Sequence, residues 1–472
     1  MNHNLKKFTK NFSYTFFANI LSMTISTILI LLVPKFISVK DYGYWQLYIF
    51  YSSYISYMSL GLTDGVYLRF GGYNYNDLKK NVLRSQYWFL ILFNIVVNFS
   101  ISILYYLNSN DLNKSIVVIF TCIVGVLTVP RSLITFILQA TNRIKEFSII
   151  IILERSIYFI LVIVFLILKI NKFEYLILAD LLGKICSIIY SVIVCKDLVW
   201  GELEEFKNSL SEIYINISVG YKLLLANLAS MLIIGIVRLC IEKNWTIDTF
   251  GKVSLTLSIC NMLMIFINSI GIILFPTLRR VDKEKLIVIY SKIRNVLMIV
   301  LIGILIAYYP LKEILGRILP KYEESLKYMA LLFPMCIYES KMLLLINTYF
   351  KVLRKEKLMM KLNIIAIVIS FLLTFTSSFI FKNLDMTILN IVIILALRCI
   401  IAEISLSKII NINVKKDITL ELTMSIFFIV LSWYLNSFLA MILYTAIYII
   451  YLLIKRKDIL ESISFYKIVL KK

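Results

Sequence analysis

The chain has 472 residues, of which 60% are hydrophobic and only 17% are charged. Soluble domains are about 45–50% apolar and about 25% charged, so this composition excludes an ordinary soluble protein. The high hydrophobicity also excludes intrinsic disorder. Lys and Arg outnumber Asp and Glu by 50 to 28, a formal net charge of +22. On a soluble protein that surplus would indicate a nucleic-acid partner, whereas in a membrane protein its position along the chain decides its meaning.

Apolar segments of about 20 residues, the length that crosses the hydrocarbon core as a helix, recur along the whole chain. We count fourteen, which begin near residues 12, 44, 83, 115, 148, 175, 219, 251, 293, 327, 361, 388, 418 and 438. The first resembles a signal peptide in its basic flank, but it is too long and no small-residue cleavage site follows it. The predicted fold class is therefore an all-α integral membrane protein, with an uncleaved first span.

The basic residues between these spans indicate the orientation. With the N-terminus in the cytoplasm, about 32 Lys and Arg fall in inner loops and tails and about 12 in outer loops, as the positive-inside rule requires. Both termini are then cytoplasmic. The surplus charge attracts anionic lipid headgroups, so we predict membrane lipids and no nucleic acid as partners. The densest inner clusters are Lys79, Lys80 and Arg84; Arg279, Arg280, Lys283 and Lys285; and Arg354, Lys355 and Lys357.

The longest inner connection, residues 196–218, has an amphipathic pattern. Its apolar residues recur every three or four positions and oppose a charged face, which predicts a helix that lies on the inner interface and links two halves of the chain. These apolar residues are Val199, Leu203, Phe206, Leu210, Ile213 and Ile217.

Short patterns in three loops of the first half of the chain recur in the second half, each at nearly the same distance along the sequence. Gly43 corresponds to Gly251, Arg69 to Arg279 and Arg143 to Arg354, at 208, 210 and 211 positions. Six spans separate the equivalents, so both halves have the same orientation, a parallel repeat about an axis along the membrane normal. The predicted domains are a six-helix lobe (1–195), the linker (196–218), a second six-helix lobe (219–409), and two further helices with a basic tail (410–472).

Short strings within these elements resemble bacterial oligosaccharide flippases of the multidrug/oligosaccharidyl-lipid/polysaccharide (MOP) exporter superfamily. The resemblance implies two six-helix lobes and export of a lipid-linked glycan. Relatives often have an acidic residue just before the arginine of span seven, where this chain has Val237 before Arg238. The strings are Tyr42-Gly-Tyr-Trp45, Ser59-Leu-Gly-Leu62 with Arg69, Leu138-Gln-Ala140 with Arg143, Phe275-Pro-Thr-Leu278, and Leu315-Gly-Arg-Ile-Leu319 with Tyr322.

Motifs for catalysis or metal binding are missing from the sequence. The seven cysteines fall within predicted spans without a Cys-x-x-Cys pair, which is typical of apolar packing residues. The single histidine, His3, lies in the N-terminal tail, and the chain has no Gly-x-x-x-x-Gly-Lys-Ser/Thr nucleotide-binding loop. We therefore predict a transporter rather than an enzyme, with no cofactor and no metal.

Six basic residues remain inside predicted spans. Each costs on the order of 2.5–3.5 kcal/mol at a helix centre, so most should face a watery interior, snorkel or pair. Asp180 and Lys184 lie one helical turn apart and should pair; Arg398 could pair less well with Glu403. Arg131 has no acid within a turn and must find water, another helix or an anionic ligand. The six are Arg131, Arg155, Lys184, Arg238, Lys341 and Arg398.

In the repeat, Arg131 corresponds to Lys341, and Arg69 corresponds to Arg279. Each half would thus have a cation at its inner mouth and another deeper, and guanidinium and ammonium groups suit a diphosphate. The alternatives are inter-helix pairing for Arg131, Lys341 and Lys184, headgroup anchoring for the inner arginines, and snorkelling for Arg238. Pro130 and Pro334 free backbone carbonyls and permit kinks near these cations.

The favoured function is flipping of a polyprenyl-diphosphate-linked oligosaccharide, such as an O-antigen or capsule repeat unit, by alternating access. A drug/cation antiporter of the same superfamily and a multi-span polysaccharide polymerase or glycosyltransferase are the alternatives. A polysaccharide polymerase and chain-length machinery are the expected protein partners of a monomer. Ion coupling is a hypothesis, whose candidate carriers are Asp64, Glu154, Asp180, Glu339 and Glu403.

Overall fold

The computed structural model describes residues 3–279, 283–435 and 437–461, and most of these are helical, with no strand among them. The helices group into two compact units that meet between Leu228 and Ala229. Helix α9 belongs to both, since it begins in the first unit and ends in the second. The long apolar segments form helices because a chain in lipid must satisfy its backbone hydrogen bonds within each segment.

The first unit contains eight helices and the start of a ninth. They are α1 (His3–Phe36), α2 (Val39–Ser52), α3 (Leu62–Phe70), α4 (Lys80–Asn108), α5 (Leu112–Ala140), α6 (Ile144–Ile167), α7 (Phe173–Val194), α8 (Lys196–Val199) and α9 (Phe206–Asn244).

The second unit contains the rest of α9 and eleven further helices. They are α10 (Ile247–Arg279), α11 (Lys283–Ile304), α12 (Tyr308–Ile318), α13 (Glu323–Leu326), α14 (Tyr328–Leu332), α15 (Met335–Lys341), α16 (Asn347–Val352), α17 (Glu356–Phe375), α18 (Leu384–Ile409), α19 (Lys415–Tyr434) and α20 (Ser437–Ile454).

Twelve described segments are long and apolar enough to cross a membrane, so the protein is a multi-pass membrane protein with the predicted all-α fold. They coincide with twelve of the fourteen predicted spans, and the count of fourteen is not itself confirmed. The predicted eighth span falls within α10, whose side chains beyond Met264 lie largely outside the described residues. The predicted second span is divided between α2 and α3.

The division of the second span has a local cause. Leu60 and Gly61 both have positive φ, 55° and 87°, which ends the turn of 3₁₀ helix after α2 and restarts the chain as α3. A Cβ at Gly61 would lie 2.8 Å from the backbone nitrogen of Tyr221 on α9, so only glycine fits there. The close approach of α9 therefore breaks a span that hydropathy alone predicts as continuous.

The predicted linker does not form one separate helix. Helix α8 ends at Val199, residues 200–205 form a connection, and α9 then runs from Phe206 into the predicted seventh span without a break. The break arises because Arg84 of α4 donates to the backbone carbonyls of Asp197, at 2.7 Å, and of Glu202. Gly201, at φ 128°, lets the connection turn against that guanidinium.

The predicted tenth span is interrupted as well. Pro334 separates α14 from α15, and a wider π turn, Met342–Ile346, follows Lys341 directly. Helix α5, in contrast, continues through Pro130 from Leu112 to Ala140. The kink that Pro334 permits is thus accompanied by a change of helix type beside a buried cation, an arrangement that often marks functional positions.

Candidate functional site

Among the described residues, three groups of polar and charged side chains join several helices each, two in the first unit and one in the second. We call them the first-unit cluster (Arg131, Glu154, Asp180, Lys184), the inner-end group (Arg69, Gln86, Glu212, Asn216) and the second-unit cluster (Arg294, Lys341, Glu403, Glu421).

The first-unit cluster joins α5, α6 and α7. Arg131 donates from Nη1 to Glu154 and, at 2.5 Å, to the hydroxyl of Ser187. Lys184 pairs with Asp180 and lies 3.8 Å from Glu154. The ion pair predicted for Asp180 and Lys184 is therefore confirmed, and Arg131 finds its partner on another helix, one of the three outcomes we expected.

This cluster lies near the middle of its helices. Arg131 is nine residues from the end of α5, Glu154 ten from the start of α6, and Lys184 ten from the end of α7. At about 1.5 Å per residue these positions are about 14–15 Å from the helix ends, half of an about 30 Å hydrocarbon core. The side chains of all three are 13–14% exposed, so the cluster is screened from bulk water without being sealed.

Two further residues of the first unit border this cluster. Tyr48 of α2 donates its hydroxyl to Asp180, which ties the second span to the cluster. Arg155 follows Glu154 on α6, is half-buried, and interacts electrostatically with Glu154 and Tyr158. Asp64, a candidate coupling residue, lies in the first turn of α3, where its charge favours the helix N-terminus.

The second-unit cluster contains two cations and two acids in almost complete isolation from solvent. Lys341 donates to Glu403 and, at 2.6 Å, to Glu421. Arg294 donates to Glu403 at 2.6 Å and to Glu421 at 2.5 Å. The exposed fractions of these four side chains lie between 0% and 5%. A buried charge is tolerated only when it is paired and hydrogen-bonded, and this balanced arrangement meets that condition.

Lys341 does not behave as the cavity-lining cation we expected. Its ammonium is 1% exposed and both neighbouring carboxylates belong to helices of its own unit. The alternative interpretation, an inter-helix ion pair, is the one this geometry supports. The sequence analysis did not select Arg294 and Glu421, because the predicted spans that contain them begin only near residues 293 and 418.

Asp417 and Lys455 extend the second-unit cluster towards the C-terminal helices. Arg294 lies 3.0 Å from Asp417, and Lys455 pairs with both Asp417 and Asp458. The predicted last two helices, α19 and α20, are thus connected to α11, α15 and α18 by charges as well as by apolar contacts.

Arg398 of α18 is bound by three other helices. It donates to Asn363 at 3.0 Å, to Glu339 at 3.1 Å and to Ser230 at 3.2 Å. The expected pair with Glu403 is wrong, since residues five apart on an α-helix point about 140° away from each other at 3.6 residues per turn. Glu339, a candidate coupling acid, remains 17% exposed beside this guanidinium.

Arg238 of α9 donates to Ser254 of α10 at 3.0 Å and lies 5.3 Å from the ring centre of Phe250.

The side chain of Arg279, the predicted equivalent of Arg69, lies outside the described residues, as do those of Arg280, Lys283 and Lys285. Within the described part of the chain, no group of three His, Cys, Asp or Glu could hold a metal ion.

The inner-end group joins α3, α4 and α9. Arg69 donates from Nη1 to Glu212 at 2.9 Å and to Asn216 at 2.6 Å, and Asn216 donates in turn to Gln86 at 3.0 Å. Arg69 and Glu212 are 27% and 33% exposed, whereas both amides are fully buried. A buried amide chain thus supports one partly exposed guanidinium.

Beside this group, α8 is attached to α4 and to the turn that precedes α4. Asp197 accepts from Lys80 at 2.5 Å and from the hydroxyl of Tyr75 at 2.7 Å, and the indole of Trp88 donates to Val199 at 3.0 Å. Partial burial alone would raise the pKa of Asp197, but the hydrogen bonds from Lys80 and Tyr75 outweigh it and lower that pKa. The carboxylate therefore stays ionised at neutral pH.

No family model and no curated protein matches this sequence. Solved structures do match it. The lipid II flippase MurJ in an inward closed conformation has a TM-score of 0.61 at 12% identity, with 95% of this chain and 99% of that chain covered. An inward-facing multidrug resistance MATE family transporter of the MOP superfamily has a TM-score of 0.60 at 12% identity, with 83% of this chain and 98% of that chain covered.

A MOP superfamily transporter from Pyrococcus furiosus gives a TM-score of 0.51 at 12% identity, with 85% of this chain and 96% of that chain covered. At these identities the likeness shows the fold, and the fold is that of MOP superfamily transporters, as the sequence resemblance implied. These structural neighbours are transporters and a flippase, not enzymes.

Proposed function

We propose that this protein flips a polyprenyl-diphosphate-linked oligosaccharide across the bacterial cytoplasmic membrane by alternating access, with both termini in the cytoplasm. The observation that carries the proposal is the likeness to a lipid II flippase over 95% of the chain. Because fold alone does not decide function, the side chains must supply the rest of the argument. The substrate combines anionic phosphates, a polar glycan and an apolar tail, so it needs cations within the membrane.

The cations best placed for this role lie in the first unit. Arg155 is half-buried next to Glu154, and Arg131 and Lys184 remain 13–14% exposed. Against the two acids Glu154 and Asp180, these three cations leave a local surplus of positive charge near mid-membrane. A surplus at low dielectric attracts a phosphate more strongly than the same charge in water.

Arg69 and, from the repeat, Arg279 would receive the phosphates at the inner mouth, and Arg238 would contact the substrate as well. Arg398 is left out of this set, because its side chain is 2% exposed and donates to Asn363, Glu339 and Ser230. Lys341 is left out of this set, because its ammonium is enclosed by Glu403 and Glu421. We propose that Lys341 holds the second unit together instead.

Coupling to an ion gradient is part of the same proposal. Of the candidate carriers, Asp64, Glu154 and Glu339 keep some exposure, whereas Glu403 is sealed between Arg294 and Lys341. A group that binds and releases a cation must reach water, which favours the exposed acids. Translocation that runs equally fast in vesicles with and without a proton or sodium gradient would contradict coupling.

The direct test is translocation in proteoliposomes that hold the full chain. A short polyprenyl diphosphate that carries a fluorescent oligosaccharide would start in both leaflets, and an impermeant reductant would quench the outer one. We expect the protein to make the protected fraction accessible, whereas a phosphatidylcholine with the same fluorophore stays protected. Equal protection of the glycolipid with and without protein would refute the proposal.

A drug/cation antiporter is the second candidate, because the likeness to a MATE transporter has a TM-score of 0.60. Such an antiporter binds organic cations and needs acids rather than bases as its exposed charges. The same proteoliposomes decide between the two: uptake of ethidium driven by an ion gradient, without glycolipid translocation, would favour the antiporter.

We also propose that the protein works as a monomer and delivers its product to a polysaccharide polymerase and chain-length machinery. A flipped oligosaccharide is a repeat unit, so the reaction that consumes it must join such units at the outer face. Co-purification of the tagged chain with a polymerase, and its size in detergent, test these two statements.

A further inference from the structure

The guanidinium of Arg69 lies 5.5 Å from the ring centre of Phe70 and is hydrogen-bonded through one nitrogen only. Nη1 makes both of its hydrogen bonds, to Glu212 and Asn216. Its Nε and Nη2 have no hydrogen-bond partner among the described residues, and the side chain is 27% exposed. One edge of the fork is thus bound to protein, and the Nε–Nη2 edge, the one that takes a phosphate or carboxylate in a bidentate manner, is open.

The support behind Arg69 is rigid. Asn216 is completely buried and is itself held by Gln86 of α4, also completely buried. The backbone of α9 at this point packs directly against that of α3, because the two segments cross at glycines. A Cβ on Gly65 would lie 2.9 Å from the Cα of Asn216, and one on Gly220 would lie 3.0 Å from the carbonyl carbon of Gly61.

Glu212 has a different character from Asn216. It is 33% exposed and bears a negative charge, so it competes with any anion that approaches the same guanidinium. An exposed ion pair is weak, about 0.2–1 kcal/mol, so the carboxylate reduces the affinity for an anion without preventing binding. In a transporter that effect is useful, since a substrate that binds too tightly is not released.

We propose that Glu212 and Asn216 are positioning residues that present the open edge of Arg69 to a phosphate group at the inner end of the first unit, and that Glu212 keeps this binding weak. The identity of the phosphate as that of a lipid-linked substrate rests on the proposed function. The buried amides fix the direction of the guanidinium, and the exposed carboxylate lowers its affinity for the phosphate group.

The test measures binding to the full chain in phosphatidylcholine nanodiscs. The probes are farnesyl diphosphate, which enters from the membrane, and inorganic pyrophosphate, which comes from water. Glu212→Gln keeps an oxygen for Arg69 but removes the competing charge, so we expect the Kd for the bound probe to fall about threefold. Arg69→Gln should raise that Kd at least about tenfold, since a charge-assisted hydrogen bond is lost.

Glu205→Gln is the matched control. It removes the same charge from the same segment, its side chain is exposed, and it does not contact Arg69. Its Kd should equal that of the wild type. A role of Glu212 in folding alone would instead lower the melting temperature of Glu212→Gln and leave its affinity unchanged or weaker.

A lower Kd in Glu212→Gln with farnesyl diphosphate alone supports a site reached from the membrane, and a lower Kd with both probes supports a site open to water as well. An unchanged or higher Kd in Glu212→Gln with both probes, or no binding of either probe to the wild type, overturns the inference. The translocation assay tests the proposed function separately. If the protein does not flip the glycolipid but Glu212→Gln still lowers the Kd, the proposed function is refuted and the phosphate site at Arg69 is supported.

Discussion

Arg131 and Glu154, 23 positions apart in the sequence, form an ion pair between α5 and α6 near the middle of the membrane-spanning helices. The pair has two interpretations. It can hold the two helices together, or it can keep a substrate-binding guanidinium in place until an anion arrives. Because both side chains remain 13–14% exposed, an anion can reach the pair, and mutation can separate the two interpretations.

Removing Arg131 alone and removing the whole pair should have different consequences. Arg131→Ala leaves Glu154 without its main partner, so we expect lower abundance in the membrane and translocation reduced at least about tenfold. Arg131→Ala/Glu154→Ala removes both charges, and we expect abundance to recover while translocation stays low. Membrane abundance by immunoblot and flipping in proteoliposomes measure the two effects. Recovery of translocation in the double variant would show that the pair is structural only.

Lys341→Met should lower the stability of the protein rather than remove a contact to the substrate. The substitution leaves the carboxylates of Glu403 and Glu421 buried with Arg294 as their main cation, and breaking such a pair costs about 3–5 kcal/mol. We expect a lower melting temperature and low membrane abundance.

A second substitution provides the control for Lys341. Lys341→Met/Glu421→Gln restores the balance of charge around Arg294, so it should regain part of the lost melting temperature, a coupling that a double-mutant cycle measures. If Lys341→Met were as stable as the wild type but inactive in translocation, the ammonium would contact substrate after all.

Several of these features could be read from the sequence because lipid imposes simple rules. Apolar segments must be about 20 residues long to cross, and this rule located twelve of the described spans. The pair of Asp180 and Lys184 followed from helical spacing alone. Local rules of this kind need no knowledge of how the helices pack.

Contacts between distant helices could not be predicted in the same way. Whether Arg131 meets Glu154, or Arg398 meets Glu339, depends on how each helix is rotated about its axis, and a span that is apolar on nearly every side does not reveal its rotation. The division of the second span was hidden for a similar reason, since Gly61 is required only by the approach of α9. The enclosure of Lys341 depended on Arg294 and Glu421, whose positions inside α11 and α19 the predicted span starts near residues 293 and 418 did not show.

The crossing of α3 and α9 should be intolerant of any side chain at Gly65. A Cβ there would lie 2.6 Å from the carbonyl carbon of Asn216, and backbone at that distance cannot yield as a flexible side chain does. We expect Gly65→Ala to lower the melting temperature by several degrees and to weaken farnesyl diphosphate binding at Arg69. Gly316→Ala is the matched control, because nothing lies within 4 Å of its Cβ and alanine favours the helix. Equal melting temperatures for the two variants would contradict the packing argument.

The attachment of residues 196–205 to α4 should weaken at low pH. The hydrogen bonds from Lys80 and Tyr75 lower the pKa of Asp197 despite the opposing effect of burial, so the ionised carboxylate stabilises the attached state at neutral pH. A group with a lowered pKa loses this contribution as the pH falls from its ordinary value of 3.8 through its value in the folded protein. Digestion with pepsin at pH 4.5 and at pH 2.5 would report the change, because Leu203 in the connection and Phe206 at the start of α9 are exposed apolar residues.

Cleavage near these two residues should therefore accelerate at the lower pH by more than the intrinsic change in pepsin activity, measured on a denatured substrate. Asp197→Asn has no carboxylate to protonate, so it should be cleaved readily at both pH values. An Asp197→Asn variant as resistant as the wild type at pH 4.5 would show that Arg84 and Trp88 hold the connection without help from the ionised side chain.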